Sequence, residues 1–125
     1  MNIPTLDQKR AQSAWETVKD KKGDNAKNFG DICKQTSTRI QNSGLCPALE
    51  FLKQKEKGTN LYQILQEYLI RLCSFIGGNQ TDINLRLIYS NAMTLRRATD
   101  EALAYLAWLT RFADAGALDK KGKGE

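Results

Sequence analysis

Histidine is absent from all 125 residues, which excludes histidine metal sites, Ser/His/Asp triads and imidazole acid–base chemistry. Cysteine is scarce. Cys33, Cys46 and Cys73 form an odd set without close pairing, each in or beside a helical apolar pattern. The expectation is three buried free thiols, and neither a zinc knuckle nor a base-activated nucleophile. No G-x-x-x-x-G-K-S/T phosphate loop occurs, and no local acidic cluster offers the converging oxygens that a hard cation needs. No catalytic residue, metal site or cofactor is therefore expected. Apolar runs stay far short of the roughly 18 residues that span a bilayer, and MNIPTLDQKR lacks the basic-then-apolar order of a signal peptide. The protein is expected to be cytoplasmic, with no membrane contact.

The composition is that of an ordered globular chain, with 41% hydrophobic and 26% charged residues and two prolines. Thr5 and Gln8 have capping-box spacing, which predicts a first helix from about Thr5 to Lys22 with Ala11, Trp15 and Val18 inward and Gly23 as its stop. Asp24 can cap a second helix, along which Ala26, Phe29, Cys33, Thr36 and Ile40 recur at three and four until Gly44. Pro47 suits the first turn of a third helix whose inward side is Leu45, Leu49 and Leu52. After a break at Gly58, Thr59 and Asn60, a broad apolar face runs through Leu61, Ile64, Leu65, Tyr68, Leu69, Leu72 and Ile76. Gly77 and Gly78 close it, and Asn79 to Asn84 reads as a loop.

From Asp82 to Ala115 the stripe is Ile88, Ala92, Leu95, Thr99, Ala102, Leu106, Leu109 and Ala113, widened by Ala98, Tyr105 and Phe112. One long helix fits it, as does a short helix followed by a long one with a break near Ser90. Nothing alternates with a period of two over a strand's length. The expected fold is all-α, a single antiparallel helical bundle of about five or six helices over residues 1–118. Residues 119–125 are expected to form a basic, frayed tail. Trp15, Phe29, Leu65, Leu69, Leu106 and Leu109 are expected to share one core.

Arg96 precedes Asp100 by four and Arg97 precedes Glu101 by four, so ion pairing on a solvated face accounts for these residues without catalysis. The net charge of +5 is spread unevenly, with +4 over residues 1–58, −1 over 59–83 and +2 over 84–125. Arg10 and Lys21 return to nearly the same helical angle, as do Lys27 and Lys34. Positive groups at such intervals can follow a phosphate backbone without reading bases, although lysine-rich faces also serve solubility. Arg10, Lys21, Lys27, Lys34, Arg39, Arg96 and Arg97 are the candidate nucleic-acid contacts, chosen for this alignment or for adjoining the motifs below.

The last long helix reads Leu95-Arg96-Arg97-Ala98-Thr99-Asp100-Glu101-Ala102-Leu103-Ala104-Tyr105-Leu106-Ala107-Trp108-Leu109-Thr110-Arg111-Phe112-Ala113. It resembles the C-terminal signature of the small subunits of Cmr, the type III-B CRISPR effector. Leu6-Asp7-Gln8-Lys9-Arg10-Ala11 resembles the family's opening helix. Ile40-Gln41-Asn42-Ser43-Gly44-Leu45 and Ala48-Leu49-Glu50-Phe51-Leu52 resemble its Gly-Leu corner and the helix after it. Leu95 stands where a tyrosine is expected, and Ser37 near a usual proline. The resemblance implies a non-catalytic, all-helical subunit of an antiviral ribonucleoprotein. Its partners would be other Cmr subunits, further copies of itself, and guide and target RNA through sequence-independent contacts. A free-standing helical nucleic-acid-binding regulator is the alternative. It would need a recognition helix after Gly44, where Cys46, Pro47, Ala48 and Leu49 make a poor groove reader. A helical-bundle enzyme is a third reading, and the missing ligands count against it.

Overall fold

In a computed structural model that describes residues 3–55 and 60–119, the chain is all-α. Among those residues six α-helices occur: α1 (Leu6–Val18), α2 (Gly23–Ser43), α3 (Leu45–Lys55), α4 (Leu61–Leu72), α5 (Ile83–Ile88) and α6 (Ala92–Ala117). A single 3-10 turn spans Ser74–Ile76. The helix starts follow from side-chain chemistry. Thr5 Oγ1 accepts from Gln8 N at 3.1 Å and Gln8 Oε1 accepts from Thr5 N at 2.7 Å, the expected capping box of α1. That helix stops at Val18, short of the anticipated Lys22. The chain turns there, with Lys21 N donating to Val18 O, and Gly23 takes a positive φ of 57° as α2 begins. Gly44, at φ 95°, separates α2 from α3 as glycine's freedom allows. Of the expected break before α4, Asn60 is left-handed, whereas Gly58 and Thr59 lie outside the described residues, as do residues 120–125 of the anticipated tail.

The chain contacts form two compact units, one comprising residues up to Gln35 with those from Ala104 onward, the other Thr36–Leu103. In the first unit, Ala14, Val18, Ala26, Phe29, Cys33, Tyr105, Leu106, Leu109 and Ala113 are buried. Small residues let α6 approach α2 and the turn before it: a Cβ on Gly116 would stand 2.7 Å from Lys21 O and 3.2 Å from Ala26 Cβ, and one on Gly30 3.2 Å from Ala113 Cβ. Trp15 departs from expectation. It is 47% exposed, because its ring meets Phe112 edge-on, with centroids 5.4 Å apart, at the margin of the packing and not within it.

In the second unit α4 buries Leu61, Tyr62, Leu65, Tyr68 and Leu69 and packs against α3, α5 and the 3-10 turn. The expected inward residues of α3, Leu45, Leu49 and Leu52, are buried. Asp82 ends the anticipated loop early, because its carboxylate caps α5 by accepting from Asn84 N, and Ile83 and Asn84 are helical and buried. The chain then breaks at Tyr89–Asn91, the expected short-then-long alternative. This break resets the helical register, so Ile88 and Ala92 of the anticipated stripe are exposed while Ile83, Asn84 and Leu87 face inward.

Charged side chains fasten this unit. Lys53 Nζ lies 2.7 Å from Asp82 and 3.2 Å from Glu50. The Tyr62 hydroxyl donates to Asp82, and Asn84 Nδ2 donates to Cys46 O and to Glu50. Partial burial pushes the Asp82 pKa up, but the hydrogen bonds from Lys53, Tyr62 and the Asn84 amide outweigh it and hold the pKa below its ordinary value.

Candidate nucleic-acid interface

The seven basic candidates divide between the units, four in the first and three in the second, and their surroundings differ. Arg10 pairs with Asp7 at 3.3 Å, Lys27 with Asp31 at 3.1 Å, and Lys34 with Asp114 at 3.1 Å. The Lys21 ammonium sits over the Phe29 ring, 4.8 Å from its centroid. Three of these four first-unit cations therefore already face a carboxylate, so a phosphate would have to compete with it.

In the second unit the arginines meet aromatic rings instead. Arg39 Cζ lies 3.5 Å from the Phe51 centroid and Arg97 Cζ 3.9 Å from that of Phe75. Each guanidinium thus meets a ring as its partner, a cation–π contact. Arg96 is exposed. The expected Arg96–Asp100 and Arg97–Glu101 ion pairs are not formed among the described residues. Glu101 is 8% exposed and accepts the Tyr68 hydroxyl at 2.6 Å, within the unit and not on a solvated face. The four-residue spacing is right for pairing, but Phe75 draws Arg97 and Tyr68 draws Glu101.

The Phe51 and Phe75 platforms are absent from the sequence expectations. Phe51 carried a signal, because it falls off the inward face defined by Leu49 and Leu52. Phe75 carried none, since its three-residue 3-10 turn has no periodicity to read.

The Trp-Leu-x-Arg-Phe-Ala motif has a structural explanation within the first unit. Leu109 and Ala113 are buried. Trp108 Nε1 donates to Asp7 at 3.0 Å, Phe112 stacks on Trp108 at 5.6 Å and meets Trp15, and Arg111 lies over Trp108 at 5.2 Å. The Trp108 bond, ahead of Arg10, holds the Asp7 pKa below its ordinary value. The Ser13 and Thr17 hydroxyls add contacts to the Tyr105 hydroxyl at 3.4 and 3.3 Å. The motif thus joins α6 to α1.

Among the described residues no group of three His, Cys, Asp or Glu side chains could hold a metal ion. Cys33 and Cys73 are buried and Cys46 is half-buried, all three free. Burial pushes the Cys33 thiol up to about 12, the opposite of an activated nucleophile. A cleft of about 170 Å³ in the first unit is lined by Trp15, Lys19, Lys21, Lys22, Phe112 and Asp119, small beside the roughly 300–1,000 Å³ of ordinary ligand pockets. Lys22 and Asp119 pair within it at 3.2 Å. No helix among the described residues is long and apolar enough to cross a membrane.

Comparison with curated proteins and with solved structures returns no match. A family model does match: that of CRISPR-associated protein (Cas_Cmr5) covers residues 6–116, from the capped start of α1 to the last turn of α6, and the chain belongs to that family.

Proposed function

We propose that this chain is a non-catalytic structural subunit of a type III-B CRISPR ribonucleoprotein. In this reading it acts in the cytoplasm in antiviral defence, lies beside the backbone subunits with further copies of itself, and touches the phosphates of guide and target RNA. The observation that carries the RNA contact is the contrast between cations. Arg39, Arg96 and Arg97 of the second unit have no carboxylate partner among the described residues, whereas Arg10, Lys27 and Lys34 are paired. Guanidinium groups without a carboxylate partner suit phosphate, and they demand no particular base. Base pairing between guide and target supplies the sequence specificity. The burial of Leu45, Ala48 and Leu49 at the start of α3 weighs against a groove-reading regulator.

The test is Arg96→Glu with Arg97→Glu in the reconstituted complex. If one copy engages two or three phosphates, the single-strand relation of about −0.7 per contact gives the isolated chain a salt slope of about −1.5 to −2 and feeble binding at physiological salt. Copies in the assembly would add their contacts along one RNA. The double variant should stay helical by circular dichroism and weaken RNA retention, with a shallower salt slope. Lys27→Glu with Lys34→Glu should have a smaller effect. Normal assembly with an unchanged salt slope in the arginine variant would refute the contact.

A further inference from the structure

The cleft of about 170 Å³ in the first unit lies among α1, the turn after it, the end of α6 and Asp119. Trp15 and Phe112 give it an aromatic wall, with centroids 5.4 Å apart and ring planes at 67°, and Val18, Ala115 and Gly116 complete its apolar lining. Trp15 leaves 47% of its surface in water, so its ring is reachable from solvent. A cavity of about 150 Å³ holds one benzene ring. The cleft therefore matches a single six-membered ring.

The charges around it select among ring-bearing ligands. Lys19, Lys21, Lys22 and Asp119 contribute to the lining. Glu16 answers Lys19 at 2.7 Å, with Asp20 also close enough to act on that ammonium, and Asp119 answers Lys22 at 3.2 Å. Lys21 is left with the Phe29 ring, 4.8 Å from its ammonium. It is the one cation of the four first-unit candidates that faces no carboxylate among the described residues. An aromatic side chain from a protein would fill the place of the ring and leave Lys21 unanswered. A nucleotide brings a ring and a phosphate together, and its base can stack on tryptophan through its π face. Bases inside a guide–target duplex are already stacked on one another, so only an unpaired base is free to enter. The volume favours the single ring of uracil or cytosine. We infer that this cleft takes one unpaired pyrimidine nucleotide of the bound RNA, its base against Trp15 and its phosphate at Lys21. The inference deepens the functional reading above and rests on it.

The experiment titrates the full chain at low salt into fluorescently labelled nine-nucleotide strands and follows anisotropy. The uridine strand should bind about tenfold more tightly than an abasic strand of equal length and charge, the change expected for one stacked base. It should also bind more tightly than an adenosine strand or a uridine–adenosine duplex. Trp15→Ala should bring the uridine strand down to the abasic level, and Trp15→Phe should keep most of the preference. Lys21→Gln should make the salt slope shallower by about 0.7 and leave the preference in place. The comparison of strands on the wild-type chain needs no variant to fold. Equal binding of the uridine and abasic strands, or of the uridine and adenosine strands, would overturn the inference. So would competition by uridine monophosphate at the strand's own concentration, which would make the ligand a free nucleotide. Unchanged uridine binding by Trp15→Ala would overturn it too, and loss of that variant from the assembled complex would then assign the cleft to a partner's aromatic side chain. Co-purification of the chain with guide RNA tests the functional reading separately. A chain that enters the ribonucleoprotein without preferring uridine keeps that reading and refutes this inference, and one that never enters it refutes the reading and the RNA assigned here with it.

Discussion

Replacing Tyr68 by Phe tests why a carboxylate is buried in α6. Tyr68 is 1% exposed and Glu101 8% exposed, and the tyrosine hydroxyl donates to Glu101 Oε2 at 2.6 Å. The substitution keeps the ring and its packing and removes the hydroxyl, so the loss reads that group's hydrogen bonding and not a cavity. A typical hydrogen bond contributes about 0.5–1.5 kcal/mol net, and leaving its buried partner unsatisfied costs about 1–3 kcal/mol. The expected loss is about 2 kcal/mol, measured by urea denaturation with an unchanged m value. For a chain of this length it should lower Tm by about 6–10 °C. Glu101→Gln retains the side chain's shape, and the double variant closes a cycle whose coupling should exceed about 1 kcal/mol. A loss under about 0.5 kcal/mol for Tyr68→Phe, or a coupling near zero, would mean that other contacts hold Glu101 and that this account of its burial is wrong.

Leu106→Ala should destabilise the protein by about 2 to 5 kcal/mol in the same assay, as a fully buried leucine cut to a methyl group does; a change near zero would contradict its place in the core. Asp82→Asn should flatten the acid end of the stability curve. The Asp82 pKa is lowered in the folded chain, so its contribution is present above the ordinary carboxylate value near 4 and is lost as pH falls through the lower folded value. Wild type should therefore lose more stability than the variant between pH 7 and pH 3 in chemical denaturation, and parallel losses would refute the assignment.

Sequence periodicity read the helices wherever a helix buries one face along its whole length. Ala26, Phe29, Cys33, Thr36 and Ile40 show this, since all five are buried at the expected spacings in α2. It failed where a short polar contact interrupts the pattern. Asp82, read both within a polar loop and as the start of the last helical stretch, caps a helix because its carboxylate lies within reach of the Asn84 amide, while Asn84, read as loop, is helical. Ile88 continued the stripe on paper and stands in water, because the break at Tyr89–Asn91 separates its register from that of α6.

The same limit governs the candidate interface. Helical alignment grouped Lys27 with Lys34, yet both find carboxylates, one of them on a distant stretch of the chain at Asp114. Arg39 and Arg97 adjoin the resembling motifs, and their aromatic platforms come from α3 and from a 3-10 turn. Formal charge is a property of the residue, but availability for phosphate depends on what stands within about 4 Å of it, and for these side chains that neighbour is set by tertiary packing. A cation already facing a carboxylate must give up that pair to bind RNA, while one facing a ring gives up much less. Among equally charged positions, the contacts worth testing first are therefore those whose partner is aromatic.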